Sequence, residues 1–243
     1  MEAYIYVPWY SPQFGKGVWY HPYVPVPVLL PSPPTSPPKM PIDIARTKTP
    51  LQALDTRNLP TITQAEIQNL NTENFLQKGK GKFFMLLSHC EDDIHKSLKY
   101  GIWTASIEGN RELNQKFIEG KGSEPVYLFF SVIGSGMFVG FAEMISSVNF
   151  NASFNGWYPD YSSMGYFGVR WIFVKDIPFK SVFRVRGHDG LSVAQYGDCE
   201  EIPKFAGFKL FRIFAETKKF KSVLEDFHYY DAKEETVRLS IIH

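Results

Sequence analysis

The chain has 243 residues, of which 44% are hydrophobic and 21% charged, so it can bury the core of at least one domain. Its formal net charge of +1 excludes a strongly basic protein that binds nucleic acid by charge alone. Cys90 and Cys199 lack metal-type spacing and fit a reducing, intracellular environment. We find no signal peptide after Met1 and no apolar run of about 18 residues, so we expect no membrane partner.

Residues 1–60 are rich in proline and aromatic residues. Most of the 17 prolines lie between Pro8 and Pro41, and proline lacks the amide donor that helices and sheet interiors need. The composition predicts a low-complexity tail over residues 1–60 that is disordered to about residue 45. Two roles stay open for this tail: a linker of no specific function, or a sticky segment for condensates or for docking partners such as mRNA-decay or translation factors.

Residues 61–80 form a weakly helical lead-in. Thr63 followed by Glu66 is a capping box, and Ile67 and Leu70 recur at helical spacing over residues 61–77. The glycines of Gly79-Lys80-Gly81 then mark a boundary.

Strands and helices alternate from Lys82 onward. Helix Glu91–Tyr100 opens with acids, carries lysines towards its end and stops at Gly101. Gly134-Ser135-Gly136 predicts a hairpin turn between two of the strands. The other predicted strands are Phe83–Leu87, Val126–Val132, Met137–Met144 and Val169–Val174, and the other predicted helices are Asn110–Ile118, Phe205–Ala215 and Phe220–Phe227. This alternation indicates an α/β or α+β class, and we assign a mixed α/β fold.

Signals for catalysis or metal binding are weak. His89 and His95 lie near Cys90, Asp92 and Asp93, but a helix would not bring third and fourth ligands together there. The glycine pair around Ser135 lacks a phosphate-loop pattern and precedes a strand. We therefore expect no cofactor and no metal.

Tryptophan is more informative. Trp103 follows a helix stop and begins a strand, whereas Trp157 lies in the aromatic loop 155–161. Loops this aromatic commonly bind ligands, although a single tryptophan more often packs in a core. Trp171, within a strand, is assigned to the core.

Several segments together resemble the YTH family of RNA readers, from about residue 81 to 229. They are Lys82-Phe83-Phe84, Glu91-Asp92-Asp93-Ile94-His95-Lys96-Ser97, Tyr100-Gly101-Ile102-Trp103, Gly109-Asn110, Val126 to Val132, Gly134 to Phe138, Gly140 to Met144, and Val169 to Asp176. Asp226 to Tyr230 and the acidic Asp92-Asp93 resemble the cytoplasmic branch. We therefore assign a YTH domain to residues 81–230 and a C-terminal tail to residues 231–243.

The resemblance implies a barrel-like mixed sheet wrapped by helices, and recognition of N6-methyladenosine in single-stranded RNA by an aromatic cage. Trp103 and Trp157 match two cage walls, with Asp160 in register. The identity of the third wall stays open: direct counting gives Ser163, and a shift of the loop by one or two residues gives Met164 or Tyr161. Met164 is favoured because Gly165 follows it.

The resemblance also assigns polar contacts. The backbone carbonyl of Thr104 would accept from the N6–H of the base, the backbone near Ser88 and His89 would hold N3 and the sugar, and Asp93 would face N1. Lys82 and Asp198 would lie beside the RNA backbone.

Two phosphate-binding positions of the family depart from the pattern. Gly197 stands where the family often has arginine, and Leu87 where it has lysine, which predicts weaker backbone affinity. The candidates to compensate are Lys80, Lys82, Arg184, Arg186 and Lys204.

The sequence thus predicts a cytoplasmic, non-enzymatic reader of methylated mRNA, with the nucleus as the alternative location. One alternative is a general RNA-binding or scaffold module of the same fold with relaxed methyl selectivity. A nucleotide-processing enzyme is the remaining alternative.

Overall fold

The computed structural model describes residues 52–54, 79–120, 123–154, 156–157, 165–218 and 221–241. Most of the predicted tail and the whole predicted helix over 61–77 lie outside these residues. Within the tail, strand β1 (Gln52–Ala53) pairs in parallel with β6 (Ala152–Ser153), and the Leu54 amide donates to the Ser153 carbonyl at 2.6 Å. This part of the predicted tail therefore contacts the domain.

Six further strands form one mixed sheet in the order β3–β7–β5–β4–β2–β8. They are β2 (Lys82–Ser88), β3 (Ile102–Trp103), β4 (Val126–Val132), β5 (Met137–Met144), β7 (Phe167–Pro178) and β8 (Glu201–Ile202). Strands β2 and β4 run parallel, and the other neighbours pair antiparallel. The predicted strands and hairpin are confirmed, and so is the mixed α/β class.

Five α-helices complete the described part of the chain. They are α1 (Glu91–Tyr100), α2 (Ile107–Gly120), α3 (Phe179–Val182), α4 (Lys204–Glu216) and α5 (Phe227–Ile241). Helix α1 has the predicted bounds, and Gly101 ends it at a φ of 62°, where its amide donates to the Ser97 carbonyl. None of the described helices is both long enough and apolar enough to cross a membrane.

The predicted helix over 220–227 is wrong. Residues Val223–Asp226 form a 3-10 turn capped by Ser222, and α5 begins at Phe227, where the predicted helix ended. Apolar residues three and four apart fit either geometry, so the sequence pattern could not separate them. Helix α5 continues to Ile241 and so crosses the predicted domain boundary at residue 230.

The sheet is covered on both faces, and its central strand β4 is buried along its whole length. Successive side chains of a strand point to opposite faces, so Leu128 and Phe130 join one core cluster while Tyr127 and Phe129 join the other. The first cluster includes residues of α1 and α2, and the second is covered by α4. Trp171 packs in the first cluster and donates its Nε1–H to the Ser97 hydroxyl, which confirms its core assignment.

Candidate functional site

A recess opens where the carboxyl end of β2 meets the first turn of α1 and the residues after β3. Part of it is open to solvent. Its lining residues are Leu87, Ser88, His89, Asp93, Trp103, Thr104, Ala105, Ser106, Trp157 and Asp198. Seven of the ten site residues expected from the sequence therefore line one recess, although they come from distant parts of the chain.

Two indoles form the apolar side of the recess. Trp103 is 5% exposed and Trp157 is 6% exposed, and their ring centroids lie 5.3 Å apart at an interplanar angle of 63°. Trp103 packs edge-on against Phe130 of β4, and Trp157 packs against Phe154. Both tryptophans thus belong to the first core cluster as well as to the recess.

The indole pair is closed in this conformation. A flat ring stacks about 3.5 Å from its neighbour, so a base held between two parallel indoles needs about 7 Å between their planes. The observed centroid distance of 5.3 Å is too short for that arrangement. The Nε1–H of Trp157 is also buried without a hydrogen-bond partner among the described residues. An unpaired buried donor is costly, so this placement of the ring carries a free-energy penalty.

Thr104 lies in the floor of the recess, and its side chain is already engaged. Its hydroxyl donates to the Gly165 carbonyl at 2.8 Å and accepts from the Asn110 side-chain amide at 3.1 Å. The Asn110 side-chain Oδ1 in turn accepts from the Ala105 backbone amide. Asn110 is a supporting residue that sequence reasoning missed, and its only signal was the Gly109-Asn110 pair within the family motif.

The polar rim is formed by the end of β2 and the start of α1. The Ser88 hydroxyl donates to the Cys90 carbonyl at 2.7 Å, which turns the chain into α1. Asp93, in the first turn of α1, is buried and lines the recess. His89 is exposed at the same rim. The geometry therefore places the Asp93 carboxylate and the His89 imidazole beside the two indoles.

Lys82 and Asp198 lie in different places. Lys82 begins β2, about 20 Å along the strand from Ser88, and its ammonium lies 3.4 Å from Glu119. The structure does not bring Lys82 to the recess. Asp198 does line it, and its carboxylate accepts from the Leu87 amide at 2.8 Å. Partial burial raises the pKa of Asp198.

Lys96 is a second residue that sequence reasoning missed. It is 8% exposed, and its ammonium lies 2.8 Å from Asp92 and donates to the Gly156 carbonyl, directly before Trp157. Lys233 of α5 lies 3.7 Å from the same carboxylate. The Asp92–Lys96 spacing of four residues was the available signal, but it predicts only a helical ion pair.

One group of residues with metal-ligand chemistry occurs among the described residues. Of the candidates around His89 that the sequence raised, it includes only His95. His95, Asp231 and Glu234 converge between α1 and α5. The Lys99 ammonium already lies 2.8 Å from Asp231 and 2.9 Å from Glu234, so a cation occupies the space between the carboxylates. Burial lowers the pKa of His95. This group fastens α5 to α1.

The candidate third walls, Ser163, Met164 and Tyr161, lie outside the described residues, as does Asp160. Their placement stays a prediction from the resemblance.

The fold and the recess define a class of protein: a mixed α/β domain that carries a recess lined by two indoles. The family model of the YT521-B-like domain, YTH, matches residues 81–215, and the chain belongs to this family. It is 36% identical over 184 residues to the YTH domain-containing protein ECT1 of Arabidopsis thaliana, covering 73% of this chain and 42% of that one. It is 38% identical over 172 residues to YTH domain-containing family protein 2 of Homo sapiens, covering 70% and 30%. The chain thus spans less than half the length of these relatives.

Two solved structures share the fold. The YTH domain of Zygosaccharomyces rouxii MRB1, in complex with N6-methyladenosine RNA, is 29% identical, with a TM-score of 0.53, and the match covers 58% of this chain and 90% of that one. The Pho92 YTH domain in complex with m6A is 27% identical, with a TM-score of 0.59, and the match covers 64% and 98%. These similarities confirm the predicted family.

Proposed function

We propose that this chain binds single-stranded RNA and recognises N6-methyladenosine in the recess. The observation that carries the proposal is the convergence of Trp103 and Trp157 with the polar rim, in a family with solved members bound to methyladenosine. Sequence-specific readers of RNA generally splay single-stranded bases onto aromatic planes. Two indoles and a buried polar edge suit a base of this kind.

The base would stack on Trp103, which is fixed against the sheet, while the indole of Trp157 turns outward to cover its other face. The N6 methyl is worth about 0.8 kcal/mol on burial, and stacking on aromatic rings about 1–3 kcal/mol per base. Burial of the methyl alone corresponds to about a fourfold preference for methylated RNA, because stacking contributes to the binding of both bases. Met164 is our candidate for a third wall, with Tyr161 as its alternative.

The polar edge of the base would be matched by groups at the floor and rim. The Thr104 hydroxyl is occupied by Gly165, so Thr104 would offer its backbone carbonyl to the N6–H. Asp93 would face N1, and the backbone at Ser88 and His89 would contact the sugar. None of these contacts requires an acid, a base or a nucleophile, so we propose binding without catalysis.

In the cell, we propose a cytoplasmic reader that influences the fate of mRNA. Its relatives include the family 2 protein and ECT1, which bear the same domain. Decay or translation factors would be recruited by the tail over residues 1–60.

A general RNA-binding module is the second candidate, favoured by the altered rim. Gly197 replaces the family's arginine, and its amide donates to the Glu200 carboxylate at 2.6 Å, so this position now carries negative charge. Paired titration of methylated and unmethylated RNA of one sequence separates the candidates. A large affinity ratio supports the reader, a ratio near one supports the general module, and turnover of either RNA would contradict both.

A further inference from the structure

The rim of the recess lacks two cations that the family uses, and one expected substitute lies elsewhere. Leu87 and Gly197 cannot bind phosphate, while Lys82 sits beside Glu119 at the far end of β2. An RNA strand carries one negative charge per nucleotide, so its affinity depends on cations beside its path. The question is where this chain provides them.

Phe205, His188 and Lys209 lie together on the surface, and with the exposed Arg184 and Arg186 they make up what we call the basic–aromatic patch. Phe205, at the start of α4, is 38% exposed, and its ring lies 4.4 Å from that of His188 between centroids. The Lys209 ammonium, one turn along α4, lies 5.7 Å from the Phe205 ring centre. The patch consists of Arg184, Arg186, His188, Phe205 and Lys209.

The two arginines are held in the loop that carries His188. Arg186 donates from Nη1 to the Gly190 carbonyl at 2.6 Å, and Arg184 lies over the exposed ring of Phe183 at 5.6 Å. Asp189 is the acid within this loop. Its carboxylate accepts from the Tyr196 hydroxyl and from the Leu191 amide and keeps its negative charge. The three cations and two rings of the patch outnumber this one acid.

A short path joins the patch to the recess. The Tyr196 hydroxyl contacts Asp189 at 3.2 Å, and the Gly187 backbone lies so close to this hydroxyl that a Cβ at Gly187 would meet it. Tyr196 precedes Asp198, which lines the recess, by two residues, so their Cα atoms are at most about 7 Å apart. The loop with His188 is therefore linked to the recess through Tyr196 and Asp198. Phe205 lies about 15 Å further along, because Asp198 lies beside Leu87 whereas Ile202 pairs with Phe83 of β2.

We infer that the basic–aromatic patch binds the RNA strand further along its path, beyond the recess, and this rests on the proposed function. Arg184, Arg186 and Lys209 would bind phosphates, and a neighbouring base would stack on Phe205 and His188. Alternating cations and aromatic rings suit single-stranded nucleic acid because every base offers a flat face and every linkage a charge. The patch would thus replace the cations lost at Leu87 and Gly197.

The test compares two methylated RNAs with the same central sequence, one of about five nucleotides and one of about twelve. The variants are Phe205→Ala and Lys209→Gln in the full chain. Tyr229→Ala, an aromatic residue 65% exposed on α5, and Lys221→Gln, an exposed lysine beyond the other end of α4, are matched controls. Thermal unfolding establishes that each variant is folded.

We expect wild-type protein to bind the longer RNA about tenfold more tightly than the short one. Phe205→Ala should remove most of this gain, and Lys209→Gln should lower the salt slope by about 0.7. Neither should change the affinity for the short RNA or the ratio of methylated to unmethylated RNA. Equal affinity of wild-type protein for both lengths, or equal losses in the controls, would overturn the inference.

Failure of the proposed function has a different signature. If methylation has no effect on wild-type binding, the reader proposal fails. The length dependence and its loss in Phe205→Ala would still be measurable with unmethylated RNA, so the patch is tested separately.

Discussion

Lys96→Met should weaken binding of methylated RNA by loosening the backbone before Trp157. The Lys96 ammonium links α1 to the Gly156 carbonyl, and the spacing of 60 residues makes this a tertiary contact. The side chains of Lys96 and Asp92 are 10% and 13% exposed, so the pair is largely desolvated. Methionine fills much of the same volume but cannot donate. The Trp157 indole can turn about its own side-chain torsions. The hydrogen bond from Lys96 to the Gly156 carbonyl instead holds the backbone that carries this indole.

The magnitude follows from the burial. Breaking one partner of a buried pair costs about 3–5 kcal/mol, but Lys233 remains 3.7 Å from Asp92 and compensates part of its charge. We therefore expect the free energy of unfolding to fall by about 2 kcal/mol. Ordering one freed backbone residue on binding costs about 1–2 kcal/mol, which corresponds to about a tenfold rise in Kd.

The assay is titration of methylated RNA, with urea unfolding of the same samples. Lys99→Met is the matched control, because its ammonium contacts Asp231 and Glu234 instead of the loop. It should lose stability with little change in Kd, and Lys96→Arg should restore binding in part. Unchanged or tighter binding by Lys96→Met, or an equal loss in Lys99→Met, would refute the reasoning.

Four further outcomes are expected. Trp103→Ala and Trp157→Ala should both abolish the preference for methylated RNA in paired titrations, and Trp103→Ala should also cost about 3 kcal/mol of stability as a core truncation. Gly197→Arg should tighten binding of methylated and unmethylated RNA alike and steepen the salt slope by about 0.7. Asp93→Asn should tighten binding by about 1 kcal/mol, because an amide can donate to adenine N1 and a carboxylate cannot; weaker binding would contradict this placement. Burial lowers the pKa of His95, so the fold favours the neutral imidazole, and the free energy of unfolding should decline below about pH 6.5. His95→Gln should lose this pH dependence in unfolding measurements.

The sequence determined much of the local structure. Helix α1 has the predicted bounds because its acids, its lysines and Gly101 are all local signals. The hairpin of β4 and β5 follows from two apolar runs and a glycine turn. The family motifs also identified Trp103 and Trp157 as a pair, since their order and spacing along the chain suffice for that. The helix and the hairpin depend on residues that are near in sequence, and the tryptophan pair on the order of the family motifs along the chain.

Where local signals were ambiguous, the prediction failed. The apolar spacing around Val223 and Phe227 fits a 3-10 turn followed by a helix as well as one α-helix. Both residues pack into the first core cluster, and this packing decides where α5 begins. Helix propensity is a weak preference that tertiary contacts readily override.

Only the tertiary structure decided how distant groups meet. It joined the Lys96 ammonium to Gly156, engaged the Thr104 hydroxyl with Gly165, and set the two indoles at 63° to each other. Composition and periodicity carry no information on such contacts, because each depends on how strands and loops far apart in the chain are packed. A buried ammonium needs acceptors that offset its desolvation, and for Lys96 one of them is the Gly156 carbonyl, which only the packed fold brings near.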